Sequence, residues 1–277
     1  MWSGGPALPG IGTAHMLSNH RRTFLYSLCL LLFLVLLFIG VGRHPPGAAP
    51  APTFAPIGHL DESTNRAMDH IRNVVLSGVA RALNVIGGGY VTIPVRAVIS
   101  LWLAFRRRWR ALGVWVLTWV AAEVLLTAAK AFFHRGRPPD PLVAVDGYSF
   151  PSGHAVAAAA TAVALVLVLM PSGPRRRKWE AIAVLFAFVM AFSRVYLNAH
   201  WLSDVLGGFT AGLAYLLVAI WLIDSAPGLV RFLRTARRES AVDGLLIPAA
   251  AGPSADSLVA AAAAAAMTTA TPAAEVR

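Results

Sequence analysis

The sequence predicts an all-α, polytopic membrane protein: a bundle of six transmembrane helices with an amphipathic helix in the first outward loop. Three observations carry this. Of 277 residues, 57% are hydrophobic and only 13% charged, about half the charged share of a soluble domain. The apolar residues gather in runs of about twenty, the length that crosses a hydrocarbon core of ~30 Å. Lys and Arg, finally, are concentrated in alternate connections between those runs. The single cysteine, Cys29, lies inside the first run, which excludes an intrachain disulfide. A net charge of +11 could suggest nucleic acid, but no aromatic-interleaved basic patch or nucleic-acid motif accompanies it.

The first element is the apolar run Thr23–Gly42 (residues 23–42), preceded by residues 1–22, which end in Arg21 and Arg22. That pair, followed by the small-residue stretch Ala48-Ala49-Pro50-Ala51, has the outline of a secretory signal. The run is longer than an ordinary signal core, and Arg43 and His44 separate it from the stretch, so a retained span is expected. An outward loop, residues 43–84, opens with Pro and Ala. Within it Ala67, Ile71, Val74, Val75, Leu76, Val79 and Leu83 recur near helical spacing. Asp61, Glu62 and Ser63 precede them, and acidic and capping side chains suit a helix start. One interfacial amphipathic helix from Asp61 to Leu83 is therefore expected.

Five further spans follow, Val85–Phe105, Ala111–Phe133, Ala155–Met170, Ala181–Leu197 and Val205–Ile223, placing the main bundle in residues 85–225. Residues 226–277 are basic and then Ala-, Pro- and Thr-rich, including Ala260–Ala266, and are expected to form a mostly disordered tail.

The connections fix an orientation. Arg21 and Arg22, then Arg106, Arg107, Arg108 and Arg110, then Arg175, Arg176, Arg177 and Lys178, then Arg231, Arg234, Arg237 and Arg238 all fall on one side of a six-span chain. By the positive-inside rule that side, with both termini, is cytoplasmic, and its basic runs suit anionic lipid there. Two charges lie within spans. Arg96 and Glu123 sit at a depth of ~14–18 Å on antiparallel neighbours at a rise of about 1.5 Å per residue. They are expected to pair, since intramembrane charges pair or face the bundle interior.

The remaining polar residues gather at the outward ends of spans three to six. Lys130 and Arg137-Pro138 close the third, Pro151-Ser152-Gly153-His154 opens the fourth, Ser193-Arg194 closes the fifth, and His200 and Asp204 lead into the sixth. Lys130, Arg137 and Arg194 offer three cations, and a planar guanidinium suits bidentate phosphate contact. Ser152-Gly153-His154 begins a helix, where unpaired N–H groups and the dipole favour an anion. The set is suited to a tetrahedral dianion. Two histidines then suggest displacement at phosphorus, one attacking and one protonating the leaving oxygen. The i, i+4 spacing of His200 and Asp204 lets the carboxylate orient that imidazole as nucleophile. His154, without an acidic neighbour in sequence, is then the general acid. Singly these residues have ordinary uses: a helix start, snorkelling anchors, a complement to a helix dipole. Together they point to one site. His134, Arg135, Asp140, Asp146, Tyr148 and Asn198 lie nearby and are given no chemistry.

The pattern Lys130-x6-Arg137-Pro138, Pro151-Ser152-Gly153-His154 and Ser193-Arg194-x5-His200-x3-Asp204 resembles the type 2 phosphatidic acid phosphatase (PAP2) superfamily, the lipid phosphate phosphatases. The resemblance covers roughly residues 60–225, with no substitution at a signature position. It implies a PAP2-type helical core and a metal-independent phosphatase that forms a phosphohistidine on His200, with no cofactor. It implies His154 as acid, Asp204 as its catalytic partner at His200, and Lys130, Arg137, Ser152, Gly153 and Arg194 as phosphate ligands. Soluble vanadium haloperoxidases share this anion site, but six spans favour a lipid substrate in a multi-pass cell-membrane protein with its site facing outward. The motifs touch only phosphate, so phosphatidic acid, undecaprenyl diphosphate, phosphatidylglycerol phosphate and diacylglycerol diphosphate all remain admissible. Transfer to an acceptor other than water, and lipid binding or transport without hydrolysis, are the alternatives.

Overall fold

The computed structural model describes residues 20–42 and 54–246, with side chains over 22–42 and 54–225. The start of the chain, the linker at 43–53 and the Ala-rich tail lie outside the described residues. The chain divides into two units, Met1–Ser225 and Ala226–Arg277. Among the described residues every regular element is a helix: α1 (His20–Val41), α2 (Ala55–Ile71), α3 (Val74–Ile86), α4 (Gly89–Phe105), α5 (Trp109–Phe133), α6 (Gly153–Leu169), α7 (Pro174–Tyr196) and α8 (Leu202–Leu246).

Among the described residues four helices are long and apolar enough to cross a membrane: α1, α5, α7 and the Leu202–Ser225 part of α8. The α3–α4 pair, bent by 44°, makes a fifth candidate. The chain is a multi-pass membrane protein. The six expected segments coincide with α1, α4, α5, α6, α7 and α8, but α4 and α6 have 17 residues each and reach only ~25 Å. Exposed Leu25, Leu32, Leu36 and Ile39 on α1 and Ile182, Leu185 and Val189 on α7 fit a surface whose solvent is as apolar as leucine. Cys29 is exposed on α1.

Two expectations are corrected. The single amphipathic helix from Asp61 to Leu83 is two helices, α2 and α3, broken at Arg72 and Asn73. Asn73 adopts an extended backbone and caps α3, its Oδ1 accepting from Leu76 N at 2.9 Å, while its own N–H donates to the Tyr196 hydroxyl at 3.1 Å. Asp61 does not start a helix. Together with Asn65 and Met68 it forms the inward face of α2, while Ile71, Val74, Val75 and Val79 stay exposed. The second correction concerns the segment Val85–Phe105, which crosses the α3–α4 bend at Gly87 and Gly88 rather than forming one helix. α8 also continues to Leu246, past the expected end at Ile223.

α6 is the packing centre. Its small residues Ala155, Ala158, Ala159 and Ala160 are buried, and Val163, Ala164, Leu167 and Val168 join Val114 and Trp115 of α5 and Leu216 and Ile220 of α8 in one core. On α8, a Cβ at Gly208 would lie 2.5 Å from the Ser152 carbonyl oxygen and one at Gly212 would lie 2.6 Å from that of Val156. Glycine one turn apart lets the two backbones approach as closely as small-xxx-small packing allows. Phe38 of α1, Phe133 of α5 and Phe150 of the following loop form an edge-to-face trio with centroids 4.8–5.3 Å apart, each such contact worth ~1 kcal/mol. The trio holds the chain entering α6 against the bundle. Arg96 and Glu123 pair as expected, at 2.6 Å, with Arg96 buried and Glu123 half exposed.

Candidate active site

Side chains from four helices and two connections meet at one end of α6. Lys130 comes from the last turn of α5, Arg137 from the connection after it, Gly153 and His154 from the first turn of α6, Arg194 from the last turn of α7, and His200 from the connection before α8. These six line a single cavity of ≈ 260 Å³, joined by Asn84 of α3 and by Ala144, Val145 and Asp146. Ser152 and Asp204 stand behind its wall, each fully buried. The two are tied directly, because Ser152 N donates to the Asp204 carbonyl at 3.0 Å. That bond couples the start of α6 to the start of α8, and therefore His154 to His200.

The hydrogen bonds around His200 assign its tautomer. Arg137 Nη1 lies 3.2 Å from Nε2, and a guanidinium can only donate, so Nε2 holds a lone pair. Nδ1 lies 3.5 Å from Asp204 Oδ2 and 3.4 Å from Ser149 Oγ, so the ring hydrogen is on Nδ1. Burial pushes the imidazole down from its ordinary 6.5 to about 4; Asp204 opposes this and the Arg137 and Arg194 charges add to it. The ring is thus neutral at pH 7, with Nε2 towards the cavity cations and Asp204 behind it. His154 is held differently. Its Nε2 faces the Asn84 carbonyl oxygen at 3.0 Å, and a carbonyl only accepts, so that nitrogen carries a hydrogen.

Lys130 and Arg137 are anchored by backbone oxygens, those of the loop between α5 and α6 and that of Ala199 before α8. Lys130 Nζ donates to the Tyr148 carbonyl. Arg137 donates to Gly147 O at 2.9 Å, Asp146 O at 2.7 Å and Ala199 O at 2.7 Å. Its fork is thus largely taken up in shaping the cavity wall, a structural role that its sequence position did not reveal. Ser152 Oγ and Arg194 Nε, by contrast, are buried donors with no hydrogen-bond partner among the described residues. Buried polar groups are nearly always paired; Arg194 belongs to the cavity wall, and Ser152 directly precedes Gly153 of that wall.

Five residues outside the expected set, Arg135, Asp61, Ser203, Ser149 and Trp201, belong to the site's framework. Arg135 is buried, with Nη1 donating to Asp204 Oδ1 at 2.6 Å and Ser203 Oγ at 2.7 Å, and Nη2 to Asp61 Oδ2 at 2.7 Å. Asp61, 2% exposed, also accepts from Ser203 N at 2.8 Å and Ser203 Oγ at 2.6 Å. Asp204 accepts on Oδ2 from Ser149 Oγ, and from Trp201 N at 2.9 Å. Asp204 is therefore the meeting point of His200, Arg135 and a helix start, rather than the partner of one histidine. The only sequence signal for Arg135 was its place among His134–Arg137 beside the motif; nothing local marked Asp61 as its partner 74 residues away.

A pH dependence of stability follows from the depressed His200 value. Between about pH 6.5 and pH 4 the unfolded chain binds a proton at this position that the folded chain refuses, so stability falls as pH falls through that window. His200→Gln removes the effect. Wild type should lose on the order of 2 kcal/mol more stability than the variant between pH 7 and pH 4.5, read as melting in detergent. Parallel melting curves across that range would contradict a buried neutral imidazole.

The sequence profile described as the PAP2 superfamily matches residues 111–226. The chain is 30% identical over 188 residues to phosphatidylglycerophosphatase B of Bacillus subtilis, across 66% of this chain and 88% of that one. It is 30% identical over 161 residues to undecaprenyl-diphosphatase of Sulfolobus acidocaldarius, across 55% and 73% respectively. The crystal structure of a transmembrane PAP2-type phosphatidylglycerolphosphate phosphatase from Bacillus subtilis superposes with a TM-score of 0.60 at 28% identity, covering 70% of this chain and 94% of that one. The profile spans the residues that supply every cavity-lining group except Asn84, and with these relatives it shows that the chain belongs to the PAP2 superfamily.

Proposed function

We propose that this protein is an integral-membrane lipid phosphate phosphatase, hydrolysing a phosphate monoester or diphosphate of a lipid on the outer face through a phosphohistidine on His200. The observation that carries the proposal is the cavity, in which three cationic side chains and two histidines of opposite hydrogen-bonding character converge. Similarity to phosphatases named for phosphatidylglycerophosphate and undecaprenyl diphosphate supports a lipid substrate. Basic connections at 106–110 and 175–178 support the orientation and a contact with anionic lipid at the cytoplasmic face. All six apolar helices are taken as spans. The short α6 need not cover the whole hydrocarbon thickness, because its first turn ends at a protein-lined cavity rather than in lipid.

In this mechanism Lys130 and Arg194, with Ser152 Oγ and the Gly153 end of α6, bind the phosphate oxygens, and Arg137, its N–H groups engaged with the wall and with His200, supplies positive charge beside them. His200 Nε2 attacks phosphorus, a P–N bond forms, and the P–O bond to the lipid breaks. His154, cationic when phosphate is bound, keeps its Nε2 hydrogen on the Asn84 carbonyl and gives its Nδ1 proton to the departing lipid oxygen; the neutral ring then takes a proton back on Nδ1 from the water that attacks the phosphohistidine. The P–N bond breaks, phosphate leaves, and both imidazoles are restored. Asp204 stabilises the cationic ring of phosphorylated His200. The charge on phosphate is met throughout by side chains and helix-start amides, with no metal assigned a role.

The test is phosphate release by the purified protein from phosphatidic acid, phosphatidylglycerol phosphate and undecaprenyl diphosphate, in EDTA without added divalent ion. Release from at least one is expected. Release only after Mg²⁺ is restored would overturn the metal-free mechanism, and no release from any of them under either condition would overturn the phosphatase assignment.

A further inference from the structure

Beyond the motif residues, we infer that Asn84 is a further phosphate-binding residue, its amide NH₂ donating to the phosphoryl group that Arg194 and His154 engage. The inference rests on the phosphatase function proposed above and adds to it a ligand from α3, a helix outside both the motifs and the region matched by the family profile.

Asn84 lies in the last turn of α3, where backbone carbonyls have no intrahelical partner. Its carbonyl takes the hydrogen of His154 Nε2 at 3.0 Å. Its side-chain Oδ1 accepts from Arg194 Nη1. One residue thus holds the proposed general acid through its main chain and a proposed phosphate ligand through its side chain. The second contact also settles which way the amide faces. Arg194 can only donate, so the atom opposite it is Oδ1, and Nδ2 occupies the other side of the planar group. Nδ2 has no hydrogen-bond partner among the described residues, and Asn84 is in the wall of the ≈ 260 Å³ cavity together with Lys130, Arg137, His154, Arg194 and His200. Two N–H donors are left over at a cavity lined by cations, beside the unpaired Arg194 Nε and Ser152 Oγ. An oxygen-rich dianion supplies the acceptors that all of these donors lack.

The close approach of α3 to α6 that this requires is built into the sequence. Gly87, one turn beyond Asn84, packs against the acid, and a Cβ there would lie 2.8 Å from His154 Cδ2 and 2.8 Å from Met190 Sδ. Tyr196 of α7 fixes the other end of α3 through Asn73 N at 3.1 Å and Ser77 Oγ at 3.1 Å. α3 is held from both ends with Asn84 facing the site.

Two substitutions separate phosphate binding from a purely supporting contact. Asn84→Ala removes both the amide donor and the acceptor for Arg194. Asn84→Asp keeps an oxygen for Arg194 but puts a carboxylate oxygen where the NH₂ donor stood. If Asn84 served only to hold Arg194, Asn84→Asp assayed in about 1 M salt, which screens its added charge, would behave as wild type. Donation to phosphate predicts the reverse, with Asn84→Asp at least as impaired as Asn84→Ala, each losing on the order of 10–10²-fold in kcat/KM on the lipid the wild type hydrolyses. Orthovanadate, which adopts the five-coordinate shape of phosphoryl transfer, gives a readout independent of turnover. Its protection of the detergent-solubilised protein against thermal unfolding should require at least about tenfold more vanadate in both variants. Vanadate affinity within twofold of wild type in Asn84→Asp overturns the inference, and that variant alone decides it if Asn84→Ala does not fold. Wild type that binds vanadate, loses that binding on Asn84→Asp, yet releases phosphate from none of the lipids would sustain the binding role and overturn the phosphatase assignment instead.

Discussion

His200→Ala is expected to abolish the acid-labile, base-stable phosphoenzyme and to reduce turnover by ~10⁴-fold or more, the scale on which removal of a covalent nucleophile acts. The neutral ring holds its Nε2 lone pair beside the cavity cations, and of the lining side chains only this imidazole has Asp204 behind its other nitrogen to stabilise the cationic ring that phosphorylation creates. Binding should survive, because Lys130, Arg194 and the start of α6 are held by contacts that do not pass through the imidazole. Vanadate protection within about fivefold of wild type, alongside lost turnover, is the expected pattern. Equal label trapped on wild type and on His200→Ala after brief incubation with ³²P-labelled substrate would remove His200 from the role. Substitution of Asp204 is a less direct test. Asp204→Asn would set an NH₂ group against some of the donors Arg135 Nη1, Ser149 Oγ and Trp201 N, so it perturbs the fold as well as the orientation of His200.

The residues that meet at the cavity were legible because each sits at the end of an apolar run. Charge alternation in the connections put those ends on one face, and the folded bundle brings Lys130, Arg137, Gly153, His154, Arg194 and His200 to one space. Residues 43–84 were harder to read. In lipid the periodic apolar residues mark the outside of a helix, so Ile71, Val75 and Val79 announced a helix correctly while hiding that Asp61, Asn65 and Met68 form the inward face of α2. The bend at Gly87 and Gly88 was concealed for a related reason. Both glycines sit in an otherwise apolar segment, and what Gly87 serves, the approach of α3 to His154 and Met190, involves residues 67 and 103 positions away. Arg135 posed a third kind of difficulty. A basic residue beside a span end usually snorkels to water, and only the tertiary structure supplies the two carboxylates that make burial tolerable.

Those two carboxylates make Arg135→Ala the substitution with the largest expected effect on stability. Arg135, Asp61, Ser203 and Asp204 are exposed by 5%, 2%, 4% and 0%, and the guanidinium is the sole cation in ion-pair contact with either acid among the described residues, with Trp201 stacked 5.8 Å from its centre. Assembling such a cluster gains little over an apolar one, but deleting the shared cation strands two buried negative charges, and breaking a buried pair costs about 3–5 kcal/mol. Arg135→Lys should recover only part of this, because one ammonium cannot reproduce a fork that reaches Asp204 and Ser203 with one nitrogen and Asp61 with the other. Removing one of the stranded charges should help, so Arg135→Ala with Asp61→Asn should melt at higher temperature than Arg135→Ala alone, a coupling expected only of residues in contact. Activity should follow separately. Asp204 without its Oδ1 anchor no longer fixes the Nδ1 hydrogen of His200, so the surviving folded Arg135→Ala should lose on the order of 10²-fold in kcat with KM little changed. Melting of Arg135→Ala within about 0.5 kcal/mol of wild type, or additive effects in the double variant, would mean that the α2–α8 cluster does not hold the catalytic carboxylate in place.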